Sequence, residues 1–185
     1  NDQTNRRKRQ HIEVIGKDEG VERNGRFFDA MHLQHRAMPQ INLADVDPSI
    51  EIMGKRLSFP LLISSMTGGD DKLVEKVNQR LAQAAQITGV AMGVGSQRVM
   101  LEDKKAASSF DLRKYAPDAL LFANIGAIQL NNGIGPDQLQ QAIDVLGGDA
   151  IFLHLNPLQE AVQPEGDTNF ANLAQAIGHA QASLN

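Results

Sequence analysis

The chain has 185 residues, 42% of them hydrophobic and 22% charged, which is ordinary soluble globular usage and excludes global disorder. Its 18 Lys and Arg against 22 Asp and Glu leave a net charge of −4, a poor balance for coating nucleic acid or an anionic membrane. With no Cys and no Trp, it excludes disulfides, thiolate metal sites, a Cys nucleophile and stacking platforms rich in indole.

The first nine residues, Asn1 to Arg9, are polar and basic and have none of the apolar core of a signal peptide. No apolar run approaches the ~20 residues of a membrane span, so a cytoplasmic location is expected. Arg6 to Arg9 form a basic cluster, followed by His11, Ile12, Val14 and Ile15, which reads as a short helix with a basic entry. Residues 17–26 hold Gly20 and Gly25 and read as a loop. Phe27 starts an apolar-anchored segment that runs to Pro39. Ile50-Glu51-Ile52 and Arg56-Leu57-Ser58-Phe59 alternate around Gly54-Lys55, predicting a hairpin. Residues 1–60 are therefore expected to form an amino-terminal extension.

From Pro60 the rhythm changes. Leu61 to Ser65 predicts a strand, and Asp71 to Thr88 a helix with Leu73, Val77, Leu81 and Ala84 on one face, Asp70 or Asp71 at its start and Gly89 at its end. Val90 to Val94 predicts a second strand and Lys104 to Ala116 a second helix stopped by Pro117. A third strand follows over Ala119 to Ile125. Pro136 suits the first position of a helix ended by Gly147-Gly148. Ala150 to Leu155 predicts a fourth strand and Asn169 to Leu184 a fourth helix.

A strand–helix unit recurs about every thirty residues, the pattern of parallel strands covered by helices. Two architectures fit, an open doubly wound sheet or a (β/α)8 barrel. All four strands end in small and polar residues: Ser64-Ser65-Met66-Thr67-Gly68-Gly69, Gly95-Ser96-Gln97-Arg98, Asn124-Ile125-Gly126 and His154-Leu155-Asn156. An open sheet concentrates its site at one switch point, whereas a barrel gathers it from every strand end, so the pattern favours a TIM-type (β/α)8 barrel of the α/β class. Four units make half of such a barrel. Residues 61–185 are expected to be its first half, the remainder lying outside this sequence.

The strand ends carry the chemistry. Thr67-Gly68-Gly69 offers backbone N–H groups just before a helix. Arg98 suits a phosphate, bidentately, and Asn124 the edge of a heterocycle. His154 and Asn156 alternate along the fourth strand and so share a face. Glu160, in the loop that follows, is a hard oxygen ligand of the kind Mg²⁺ takes. Arg7 and Lys8 are candidate phosphate ligands if the basic tail folds over the mouth. His32 and His35 read as structural.

These strings together resemble a known family. Arg7-Lys8 with His11, His35-x-Ala37-x-Pro39, Met66-Thr67-Gly68-Gly69, Gly95-Ser96-x-Arg98, Ala123-Asn124-x-Gly126, His154-x-Asn156-Pro157-Leu158-Gln159-Glu160 and Gly166-Asp167-Thr168 resemble the type 2 isopentenyl-diphosphate delta-isomerases, nearly end to end. The resemblance implies an FMN-dependent barrel that interconverts isopentenyl and dimethylallyl diphosphate by a 1,3-proton shift, with reduced FMN, Mg²⁺ and NAD(P)H as reductant. It places Ser65, Met66, Thr67, Ser96 and Asn124 at the flavin, and Arg7, Lys8, Ser96, Gln97, Arg98 and Gln159 around the diphosphate substrate. It places Glu160 on Mg²⁺. Gln159, His154 and Asn156 are then expected to be the catalytic set that orients substrate and diphosphate. A homo-oligomer, tetramer or octamer, is expected. The competing readings are an FMN-dependent 2-hydroxy-acid oxidase and an inactive half-barrel fragment.

Overall fold

In the computed structural model the described residues are 10, 12–18, 20, 27–66, 68–69 and 71–184. The basic cluster with Arg7 and Lys8, together with His11, Thr67 and Asp70, lies outside them. Residues 12–17 are helical, and residues 29–48 are exposed, with short 3₁₀ turns at Phe27–Ala30 and Leu43–Asp45.

The predicted hairpin forms, with β1 Ile50–Ile52 antiparallel to β2 Lys55–Leu57. Its turn sits one residue earlier than expected, at Met53 (φ 54°) and Gly54 (φ 72°). Two positive φ values in a two-residue loop give the twist that hairpin strands need. Four parallel strands follow in sequence order, β3 Leu62–Ile63, β4 Ala91–Gly93, β5 Leu121–Gly126 and β6 Ala150–His154. The first crossover is α1, Lys72–Thr88. Asp71 caps it by accepting from the N–H groups of Leu73 and Val74, and Gly89 at φ 66° ends it in the left-handed conformation. Pro136 opens α3, Pro136–Leu146, and Gly147 at φ 65° closes it.

The second predicted helix is corrected. Residues 104–116 form no α-helix; instead α2 spans Arg98–Glu102, with 3₁₀ segments at Lys104–Ser109 and Arg113–Tyr115. Asp103 accepts from the Lys105 N–H and restarts the chain in a tighter turn, while Phe110 and Leu112 are drawn fully into the core. The fourth predicted helix is shorter than expected: α5 runs Leu173–Ser183. A further helix, α4 Pro157–Val162, fills what reads as a loop in the sequence.

The two faces of the sheet differ. Met92, Leu121, Ala123, Ile125, Ile151 and Leu153 join the main core with helix residues such as Ala82, Ala85, Leu139 and Leu146. The alternate positions face the other way. There Leu57 of the hairpin packs with Ala91 and Leu120, flanked by Ile50 and Phe122, so the hairpin covers the amino ends of the strands. Phe122 and Phe152 stack on this face, ring centroids 4.4 Å apart and 11° from parallel. The hairpin is tied down by charge. Lys55 and Arg113 both reach Asp149 at 2.8 Å, and the Leu121 N–H donates to the same carboxylate at 2.9 Å. Burial opposes ionisation of Asp149, but those three donors outweigh it and hold the carboxyl below its ordinary value.

Candidate functional site

The carboxyl ends of β5 and β6 and the segments after β4 and β6 converge on one pocket. Ser96, Arg98, Gly126, His154, Asn156, Gln159 and Glu160 line it. Six of those seven are residues singled out from sequence for function, brought together from positions up to 64 apart in the chain.

The local geometry explains how. Strand β6 ends at His154, so Asn156 is not a strand residue as the alternation suggests; at φ −139° and ψ 47° it turns the chain into α4. Pro157 starts that helix, and the first turn carries Gln159 and Glu160. Glu160 is thereby a helical, buried carboxylate rather than a loop one. Its two oxygens are held separately. Asn156 Nδ2 donates to Oε1 at 2.7 Å, and the Asp167 backbone N–H donates to Oε2 at 2.7 Å. Asn156 Oδ1 is buried with no partner among the described residues. A buried acceptor left unpaired is costly, which makes this oxygen the one unsatisfied side-chain group of its kind among the described residues.

His154 is half-buried, and its Nδ1 lies 2.8 Å from Asn124 Oδ1. An amide oxygen only accepts, so Nδ1 carries the proton and Nε2 is the acceptor. Nε2 lies over Gly126, where an added Cβ would stand 3.3 Å from it. The glycine leaves that nitrogen uncovered on the pocket side. Burial pushes the His154 pKa down, with Glu160 opposing, so the ring is neutral at pH 7.

Arg98 reaches Asp167 Oδ2 at 3.2 Å through Nη1 and Glu102 Oε1 at 3.4 Å through Nε. Gln129 Nε2 donates to the same Asp167 oxygen at 2.7 Å. The sequence reading gave no role to Gln129 or Asp167. Asp167 sits in the Gly166-Asp167-Thr168 string, and Gln129 follows a strand end, which was the available signal.

The other candidates lie apart from the pocket. Gln97 is fully buried; its Nε2 donates to the Ala142 carbonyl at 2.8 Å and its Oε1 accepts from the Asn124 N–H at 3.0 Å. That side chain faces the protein interior rather than the pocket where a diphosphate would be met. Ser65 lies against the β4 backbone, where a Cβ on Gly93 would stand 2.6 Å from its Oγ. Met66 is about half exposed at the end of β3. Arg7, Lys8 and Thr67 are outside the described residues.

The donor set suits a hard cation: the Glu160 carboxylate and the Asn156 amide line one pocket, and oxygen donors of this kind fit Mg²⁺ completed by a phosphate ligand. Among the described residues no cluster of three or more His, Asp or Glu is preformed for a metal. On the sheet face opposite the helices the strand ends are closely packed, Gly93 against Ser65 and Phe152 and Gly126 against the His154 ring.

Parallel strands linked by helices, with polar residues collected in a pocket at the strands' carboxyl ends, define an α/β protein with its candidate site at that end of the sheet. More particularly, the chain belongs to the FMN-dependent dehydrogenase family, whose sequence model matches residues 5–116. It is 52% identical over 178 residues to a protein of Hydrogenovibrio crunogenus named isopentenyl-diphosphate delta-isomerase, covering 96% of this chain and 52% of that one. It is 50% identical over 171 residues to the protein of that name from Paracoccus zeaxanthinifaciens, covering 92% and 49%. The chain therefore spans about half the length of the curated relatives it matches.

Proposed function

We propose that this chain supplies the amino-terminal half of a type 2 isopentenyl-diphosphate delta-isomerase, which interconverts isopentenyl and dimethylallyl diphosphate in isoprenoid synthesis. In this reading residues 1–60 are an extension ending in the hairpin, and residues 61–185 are the first four units of a (β/α)8 barrel. The sheet supports that completion. Among the described residues its outer strands have no further strand partner, and Leu62, Phe122 and Phe152 on the face opposite the helices are only partly covered.

The observation that carries the proposal is the pairing, in one pocket, of a cation with an oxygen-donor cluster. Ser96 and Arg98 line it together with Asn156 and Glu160, and Asp167 bonds both Arg98 and Glu160. A diphosphate needs both, a guanidinium for its oxygens and a carboxylate-held Mg²⁺ for the rest of its charge. Arg7 and Lys8 would add further positive charge. Ser65, Met66, Thr67, Ser96 and Asn124 would hold FMN at the strand ends. Bound and reduced by NAD(P)H, FMN supplies an electron-rich ring beside the alkene. Gln159, exposed on the first turn of α4, orients the substrate. His154 offers Nε2 as an acceptor fixed in place by the Asn124 bond, and Asn156 holds Glu160 while presenting Oδ1. The assembled enzyme is taken to be a cytoplasmic homo-oligomer.

The test uses the full-length protein that contains this chain, with FMN, NAD(P)H, Mg²⁺ and isopentenyl diphosphate. Conversion to dimethylallyl diphosphate is expected. Gln159→Ala should lower turnover by about 100-fold, in the range lost when a positioned polar group is removed from a reacting site, with FMN affinity unchanged. No conversion, or turnover of glycolate or lactate instead, would overturn the proposal.

A further inference from the structure

Asp167 stands at the junction of the two halves of the pocket. Its carboxylate Oδ2 accepts from Arg98 Nη1 at 3.2 Å and from Gln129 Nε2 at 2.7 Å. Its backbone N–H donates to Glu160 Oε2 at 2.7 Å. One residue thus fixes the cationic side through its side chain and the carboxylate side through its main chain. Arg98 and Glu160 line the pocket, whereas Asp167 does not.

The loop that carries it is built for this approach. At Gly166 an added Cβ would stand 1.9 Å from the Glu160 carbonyl oxygen, so the chain passes Glu160 too closely for any other residue. The Gly166 N–H donates to the Gln163 carbonyl at 3.0 Å and turns the chain back towards α4. A carboxylate beside an anion site is unfavourable by charge alone. Its compensation is orientation. Arg98 reaches Asp167 with Nη1 and Glu102 with Nε, which fixes the plane of the guanidinium.

We propose that Asp167 is a positioning residue of the site, setting the Arg98 guanidinium and the Glu160 carboxylate in fixed register so that together they receive a diphosphate and its cation. The proposal rests on the diphosphate reading above, and its experiment separates the two. Charge and position predict opposite signs. If Asp167 were a bystander, Asp167→Ala would leave inorganic pyrophosphate binding unchanged or tighten it by removing a repulsive charge. As a positioning residue it should weaken binding by about tenfold, the scale of one lost charge-assisted hydrogen bond.

Binding of inorganic pyrophosphate with Mg²⁺ is measured by calorimetry on the full-length protein carrying wild-type, D167A, D167N, R98A and R98A/D167A sequences. Phenylglyoxal labelling of Arg98, read by mass spectrometry, follows the same variants without any ligand. The expected result is weaker binding in D167A, an intermediate loss in D167N, no further loss on adding D167A to R98A, and faster Arg98 labelling in D167A. Unchanged or tighter binding in D167A, losses that add in the double variant, or unchanged Arg98 labelling would overturn the assignment. If the wild-type protein does not bind pyrophosphate, the diphosphate reading fails, and the labelling alone decides whether Asp167 holds Arg98.

Discussion

Replacing Gln97 with Ala tests what a polar residue in a functional-looking string is for. The Gln97 N–H donates to the Asn124 carbonyl at 2.8 Å, and its side-chain Oε1 accepts from the Asn124 N–H at 3.0 Å. Both backbone groups of Asn124 are thus satisfied by one residue, which extends the β4–β5 ladder beyond the end of β4. Its Nε2 meanwhile ties α3 to this point through the Ala142 carbonyl at 2.8 Å. Truncation leaves a buried N–H and a buried C=O without their partners, at about 1–3 kcal/mol each. Water entering the space left by the side chain offsets part of this, so a loss of about 3 kcal/mol is expected. For a chain of this size that lowers Tm by about 6–12 °C. Gln97→Leu, which keeps most of the volume, should lose nearly as much, since the cost lies in the hydrogen bonds. Thermal and urea unfolding of both variants, alongside pyrophosphate titration, is the assay. A Gln97→Ala protein within about 0.5 kcal/mol of wild type, the spread of neutral surface changes, but defective in pyrophosphate binding would refute the reasoning and make Gln97 a ligand.

The Asp149 cluster predicts a pH dependence. Its folded pKa is depressed, so its contribution is present above the unfolded value near 3.8 and is lost as pH falls through the folded value. Urea unfolding from pH 6 down to pH 2 should show a steepening loss below about pH 4 that Asp149→Asn removes; an unchanged slope in that variant would count against the cluster. His154 predicts a spectroscopic signature. Its ¹⁵N shifts at pH 7 should report a neutral ring protonated at Nδ1, and Asn124→Ala should release the tautomer towards the usual Nε2–H mixture. With a depressed folded pKa, protonating His154 costs stability as pH falls below the unfolded value near 6.5. A ring already charged at pH 7 would contradict the burial argument.

Sequence periodicity was sufficient for the parallel α/β repeat because each unit is locally punctuated. Asp71 and Gly89 bracket α1, and Pro136 and Gly147 bracket α3, through chemistry that acts within a few residues. It failed between residues 98 and 116, where tertiary burial of Phe110 and Leu112 and the capping of Lys105 by Asp103 override the helical spacing. The site divided in the same way. His154, Asn156, Gln159 and Glu160 are close in sequence and were legible as a string. The Asp167 carboxylate reaches Gln129 and Arg98 across 38 and 69 residues, and although Asp167 sits in the Gly166-Asp167-Thr168 string, no local pattern reports those contacts. Gln97 lay in the right string, but the direction of its side chain is a property of the packed core.

The stacked rings of Phe122 and Phe152 mark a boundary. They lie on the sheet face opposite the helices, the hairpin closing one end below them and the polar strand ends rising above. Asn124 and His154 stand one pleat further along the same two strands. The rings line an apolar hollow with Leu57, Leu62 and Leu120, separate from the polar pocket of Arg98, His154 and Glu160. The pair therefore divides this face into a polar end and a hydrocarbon end, and the residues beneath it are free to be chosen for packing alone.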